Sequence, residues 1–168
     1  EFDYFRKIVS KLGTQKQYIP PFSLLALEDS AKNQKLRSIN YSKNKFEQIP
    51  FEKLKGLKKK KHIHIGYFSS DFYNHATMYL IKGVFNNHNL SEFRIYIYDY
   101  SINNNDNFKN EFLNNNIIIR DVQNRSNKDI ASLARKDGID IAVDLKGHTL
   151  NSRSEIFAYR AAPIQINF

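Results

Sequence analysis

Residues 62–98 read HIHIGYFSSDFYNHATMYLIKGVFNNHNLSEFRIYIY, and the spacing of their apolar side chains decides the fold. His62 to Phe68 predicts a strand with Ile63, Ile65 and Tyr67 on one face, and Phe93 to Tyr98 a second with Phe93, Ile95 and Ile97 together, because successive side chains of an extended chain point to opposite sides. Between them, Thr77 to Phe85 puts Met78, Ile81 and Phe85 on one helical stripe, the spacing of a helix that lies on a sheet. Strand, helix and strand in that order make a β-α-β unit, whose crossover is right-handed.

Moving downstream, the alternation repeats. Asn103 to Asp106 reads as a loop, Phe108 and Phe112 mark a short helix, and Ile117 to Ile119 a brief strand. Ser126 followed by Asp129 is a capping-box signal. Ile130, Leu133 and Ala134 then give a helical face, which Gly138 stops. Ile139 to Leu145 predicts a buried strand with Ile139, Ile141, Val143 and Leu145 on one face and Ala142 on the other. Arg153 and Glu155, near the start of a short helix, read as a solvated pair. Alternating strands and helices define an α/β protein: a doubly wound, mostly parallel sheet with helices on both faces.

Upstream of residue 62 the pattern differs. Phe2, Phe5, Val9 and Leu12 recur at helical spacing up to a stop at Gly13, so a helix there should bury one face, as the tail of a helical element preceding it would. Pro20-Pro21, an apolar cluster of Phe22, Leu24, Leu25 and Leu27, and a short helix from Asp29 towards Tyr41 follow. Pro50, Gly56 and the lysines Lys53, Lys55 and Lys58 to Lys61 read as a connector. The expected division is therefore a basic, partly helical extension over residues 1–61 and an α/β domain over 62–168. Charge follows the same division: residues 1–61 hold 15 Lys/Arg against 6 Asp/Glu, residues 62–168 hold 11 against 11, and the net +9 lies wholly in the first part. A nucleic-acid reader carries its basic patch on the folded surface, so this distribution speaks for a solvated linker and against nucleic acid as a partner. With no cysteine, disulfides and thiolate sites are excluded. No apolar run approaches the roughly 20 residues of a membrane span, which leads us to expect a soluble, cytoplasmic protein with no membrane partner.

Doubly wound sheets take ligands beyond the carboxyl ends of their strands, so the loops after Phe68 and Leu145 are where chemistry is expected. The first, Ser69-Ser70-Asp71-Phe72-Tyr73-Asn74-His75, has no glycine and is neither a dinucleotide fingerprint nor a phosphate loop. It supplies hydroxyl, carboxylate, amide and imidazole groups just ahead of a helix. The second, Asp144-Leu145-Lys146-Gly147-His148-Thr149, supplies an acid, a base and a hydroxyl. His75 and His148 are candidates for positioned proton acceptors or hydrogen-bond donors. His62 and His64 share a strand face, but no further ligand completes a zinc set.

Two segments are more specific. IGYFSSDFYNHAT (residues 65–77) and DGIDIAVDLKGHTLNSRSEIFAYRAAPIQINF (residues 137–168) resemble, in order and separation, two motifs of the peptide O-GlcNAc transferase and SPINDLY family. PFSLL (residues 21–25) is similar to the connector that bacterial members carry after their tetratricopeptide repeats. The resemblance implies that the chain is the Rossmann-like N-terminal lobe of a two-lobed glycosyltransferase, with a donor-binding lobe and upstream repeats lying outside it. The implied reaction is inverting transfer of N-acetylglucosamine from UDP-N-acetylglucosamine to Ser or Thr of an acceptor protein, with no metal or other cofactor. His75 matches the family's first-loop histidine and is the implied catalytic residue, and Ser70, Asp71, Asn74, Thr77, Asp144, His148 and Thr149, from the two strand-end loops and the start of the helix, are the expected substrate-binding set. Lys146 and His148 depart from the usual pattern. This lobe alone is expected to be inactive. The alternatives are a related protein O-fucosyltransferase using GDP-fucose and a non-catalytic binding module whose basic N-terminal segment touches nucleic acid or an acidic partner.

Overall fold

Strand β1 (Ile63–Ser69) lies at the centre of a five-stranded sheet of order β3-β2-β1-β4-β5 in which every pairing is parallel. The other strands are β2 (Phe93–Asp99), β3 (Ile118–Asp121), β4 (Ile141–Asp144) and β5 (Ile164–Asn167). The computed structural model describes residues 2–15, 17–47, 60–102 and 116–168. These fall into two compact units, one within residues 1–50 and one within 51–168. The expected loop at Asn103 to Asp106, the short helix of Phe108 and Phe112, and most of the connector (Pro50, Lys53, Lys55, Gly56, Lys58 and Lys59) lie outside the described residues.

Alternation along the strands feeds two apolar layers. Ile65 and Tyr67 of β1, Ile95 and Ile97 of β2 and Val143 of β4 pack with Met78, Ile81 and Phe85 of one helix, Ala76–Asn87. Phe68, Tyr96, Tyr98 and Ala142 point the other way, against Ile130, Ala131 and Ala134 of the helix Asn127–Asp137 and Ile156 of the short helix Glu155–Ala158. Among the described residues the α-helices are, in chain order, α1 (Phe2–Lys11), α2 (Ala31–Lys45), α3 (Ala76–Asn87), α4 (Asn127–Asp137) and α5 (Glu155–Ala158). This is the doubly wound α/β arrangement that the spacing predicts. β1 and β4 pair parallel, with Tyr67 opposite Val143.

Gly66 is required by a close approach of side chains in the second layer. A Cβ there would stand 3.0 Å from Tyr98 Cε2 and 3.2 Å from both Ile139 Cγ2 and Phe68 Cε2. The absent side chain lets the Phe68 and Tyr98 rings stack, with centroids 4.4 Å apart and planes 6° from parallel.

Ile139 corrects the sequence reading. It was expected to share a face with Ile141 and Val143, but it lies in the opposite layer, with Ala142. The reason is the end of α4. Gly138, at φ 70, turns the chain left-handed, its N–H bonds Arg135 O at 3.1 Å, and the Ile139 N–H bonds Ala134 O at 3.0 Å. That pair of bonds is a Schellman motif, which turns the next side chain back onto its own helix. The strand's alternation starts only at Ile141. β5, by contrast, is not anticipated at all: a four-residue edge strand with Ile164 and Ile166 half-exposed.

In the N-terminal unit, α1 ends at Lys11, shortly before the left-handed Gly13, φ 69, and Ser30 caps α2 by accepting from the Asn33 N–H at 3.3 Å. The fully buried Arg37 joins the two helices. Its guanidinium donates to Leu12 O at 2.8 Å and Val9 O at 2.7 Å, placing a cation on the negative end of α1. Of the stripe expected to be buried on α1, Val9 is covered, whereas Phe2 and Phe5 are exposed among the described residues.

Candidate active site

The sheet's strand order reverses between β1 and β4, so their carboxyl ends leave side by side. Phe68 is paired with Asp144, and the Leu145 N–H still bonds Phe68 O at 3.1 Å. Both predicted loops thus open on one edge, at the place where such sheets receive ligands.

Asp71 is the hub of that edge. Lys146 Nζ, arriving from the β4 loop, lies 2.9 Å and 2.8 Å from its two carboxylate oxygens, and the paired side chains are only 8% and 6% exposed. Ser70 Oγ donates to Oδ1 and Thr77 Oγ1 to Oδ2, each at 3.2 Å. The Asp71 N–H in turn bonds Ser69 Oγ at 3.0 Å, which sets the turn. A buried carboxylate needs such a set of donors, because an unpaired charge out of water is costly.

His75 sits at the N-terminus of α3. Its Nδ1 accepts the Thr77 N–H at 3.2 Å, capping the helix, and lies 3.1 Å from Thr77 Oγ1 and 3.6 Å from Asp71 Oδ2. The side chain is 37% exposed, and its ring centroid is 5.4 Å from that of Tyr73. Asn74 is exposed and accepts from Tyr79 Oη at 2.9 Å.

In the β4 loop, Asp144 Oδ1 accepts from the Lys146 and Gly147 N–H groups at 2.9 and 3.1 Å, and Thr149 Oγ1 donates to Lys146 O at 2.8 Å. These two side chains shape the loop that delivers Lys146. Burial pushes the Asp144 carboxyl up, against the pull of those N–H donors. Burial likewise holds the half-buried His148 imidazole below its ordinary value, with the Asp144 charge opposing. Of the candidate residues, the structure gathers Ser70, Asp71, His75 and Thr77 into one cluster, and Asp144 and Thr149 into its support.

The residue that the candidate set lacked is Lys146. Its signal was present: it is the cation in the loop that parallel pairing sets beside Asp71. An open depression of about 600 Å³ adjoins the cluster, lined in part by Ser70, Tyr73, Tyr100, Asn124, Asn151 and Arg153. Arg153 and Glu155 are not a solvated pair. Asn127 lies between them, accepting from Arg153 Nε and donating to Glu155 Oε2, each at 2.6 Å, while the guanidinium stands 5.6 Å above the Tyr100 ring. His64 Nδ1 lies 3.1 Å from Asp137 O, and among the described residues no group of three or more His, Cys, Asp or Glu could hold a metal ion.

A doubly wound sheet with a charged, hydrogen-bonded junction at its strand reversal defines a class: α/β proteins that take a ligand between the loops of their central strands. Comparison with known proteins narrows it. The chain belongs to glycosyl transferase family 41, whose model matches residues 32–168. It is similar to the Arabidopsis thaliana "Probable UDP-N-acetylglucosamine--peptide N-acetylglucosaminyltransferase SEC", with 36% identity over 150 residues, 86% of this chain and 15% of that protein. A Caenorhabditis elegans UDP-N-acetylglucosamine--peptide N-acetylglucosaminyltransferase is 37% identical over 105 residues, 62% of this chain and 9% of the relative. The chain thus spans a small part of these relatives' length. A solved Thermobaculum terrenum O-GlcNAc transferase mutant shares the fold, with a TM-score of 0.68 at 21% identity over 99% of this chain and 30% of that one.

Proposed function

We propose that the protein is an inverting peptide O-GlcNAc transferase and that this chain is its acceptor-side lobe, with the β1–β4 junction facing the sugar and the acceptor hydroxyl. The observation that carries the reading is where the family match falls: it spans both loops that build the Asp71–His75–Lys146 junction. In an inverting transfer the Ser or Thr oxygen bonds to the anomeric carbon as the bond to the diphosphate breaks. The hydroxyl proton passes to the departing diphosphate or to water, and the electron pair of the broken bond goes to the nucleotide. Such a step gains from a positioned polar group beside the reacting oxygens and from charge at the leaving group. His75, Ser70 and Thr77 suit the first role. Asp71 and Lys146 neutralise each other, so the leaving diphosphate is served by a second lobe of the whole enzyme.

UDP-N-acetylglucosamine is the proposed donor, by likeness to relatives whose names carry it, and no metal or other cofactor enters the scheme. We place the enzyme in the cytoplasm, acting on acceptor proteins with the help of upstream repeats. No helix among the described residues is long and apolar enough to cross a membrane. The test is transfer by the whole enzyme carrying this lobe, read as the mass gained by a Ser/Thr peptide. A gain of one N-acetylhexosamine from UDP-N-acetylglucosamine is expected. A gain from GDP-fucose alone would reassign the protein as an O-fucosyltransferase, and no gain from either would leave a binding module.

A further inference from the structure

Asp71 and His75 stand close enough to form a charge-assisted pair, yet they are arranged otherwise. His75 Nδ1 is 3.6 Å from Asp71 Oδ2, and it takes the backbone N–H of Thr77 at 3.2 Å instead. An amide N–H can donate only to a nitrogen lone pair. Thr77 Oγ1, 3.1 Å from Nδ1, could accept a proton from it, but an Nδ1–H would point at the Thr77 amide hydrogen and forfeit the helix cap, so the capping bond puts the lone pair on Nδ1 and the proton of the neutral ring on Nε2. A carboxylate beside Nδ1 ordinarily draws the proton to that side and leaves Nε2 as a base. Asp71 does not, because its charge is already answered: Lys146 Nζ contacts both carboxylate oxygens, and Ser70 and Thr77 donate to one each.

We infer that Lys146 is a positioning residue. By saturating Asp71 it leaves His75 Nδ1 to cap α3 and keeps the proton on Nε2, so His75 offers an N–H donor, not a basic nitrogen, to whatever occupies the junction. Among the described residues Tyr73 also lies against the ring, and it brings no formal charge. The tautomer follows from this chain's own geometry. Its meaning, a hydrogen bond that holds an acceptor or sugar oxygen in place, rests on the function proposed above.

The experiment is a long-range proton–nitrogen correlation spectrum of the histidine rings in the isotope-labelled 168-residue chain, at a pH of about 8 where imidazole is neutral. The His75 signals are assigned by their loss in His75→Gln. The unsubstituted chain should show the Nε2–H tautomer, Lys146→Arg should keep it, and Lys146→Met should move the proton to Nδ1, facing a bare Asp71. Should Lys146→Met not fold, Lys146→Gln, which keeps a donor for Asp71 but no charge, takes its place with the same expected change. An Nδ1–H signal in the unsubstituted chain, or an unchanged Nε2–H signal in a folded charge-removing variant, overturns the inference. No sugar nucleotide is present, so the result does not depend on transfer activity.

Discussion

His75 carries two loads, the cap of α3 and the imidazole at the junction, and substitutions can separate them. Asn is a good N-cap. His75→Asn in the whole enzyme should therefore keep the fold while lowering the transfer rate by roughly 100-fold, the usual cost of removing one preorganised donor. His75→Ala should show the same rate loss plus about 1 kcal/mol of lost stability. Steady-state turnover beside chemical denaturation separates the two, and full turnover by His75→Asn would remove His75 from the reaction. Gly66→Ala should destabilise the domain by roughly 1–3 kcal/mol, as overpacking does, read as a lower denaturation midpoint at unchanged slope. The placement of His75 in the loop after a central strand was legible from the sequence. The Lys146–Asp71 contact was not, because it joins residues 75 apart in sequence, and only the strand register brings them together.

At the scale of elements, α4 was the most legible because its signals are local. Ser126 accepts the Asp129 N–H at 3.1 Å and donates to the Asp129 carboxylate at 2.6 Å, and Gly138 closes the other end. Ser126→Ala should cost about 1 kcal/mol, measured by thermal or denaturant unfolding. β5 was illegible for the opposite reason. Four residues after a proline carry too short an alternation to read, and its pairing with β4 is a tertiary fact. The loops also set a pH response. Burial lowers the imidazoles of His88, at the end of α3, and His148, after β4, below the ordinary value of 6.5. A histidine depressed in the folded state gives stability that is present above that value and lost as the pH falls below it. The denaturation midpoint should therefore drop between pH of about 7.5 and about 5.5, and less so in His88→Gln, whose side chain does not titrate. An identical drop in the variant would clear His88 of this role.

For the whole molecule, the alternation of strands and helices gave the α/β class. What it left open was how the apolar faces divide between the two layers, as at Ile139, where a helix end overrides strand periodicity. The neutral Asp71–Lys146 pair also bears on donor binding. A ligand held at one open edge keeps much of its surface in water, whereas enclosed sites cover roughly 70–90% of it. Titrating UDP-N-acetylglucosamine into this chain by calorimetry should give no saturable heat at micromolar concentration. A dissociation constant there, about −8 kcal/mol, would place the donor site on this lobe. Finally, the rings that pack the sheet have an optical consequence. The chain has ten tyrosines and no tryptophan, so its near-ultraviolet spectrum is dominated by phenols. Burial pushes Tyr67 up to about 12. It raises Tyr98 and Tyr100 well beyond the ordinary phenol range, helped by the Asp137 hydrogen bond in one and the Asp144 charge in the other. Phenols raised in the folded state give stability that is complete below about pH 10 and lost above it. In an alkaline titration the exposed tyrosines should colour gradually, and these three abruptly, at the pH where the sheet comes apart.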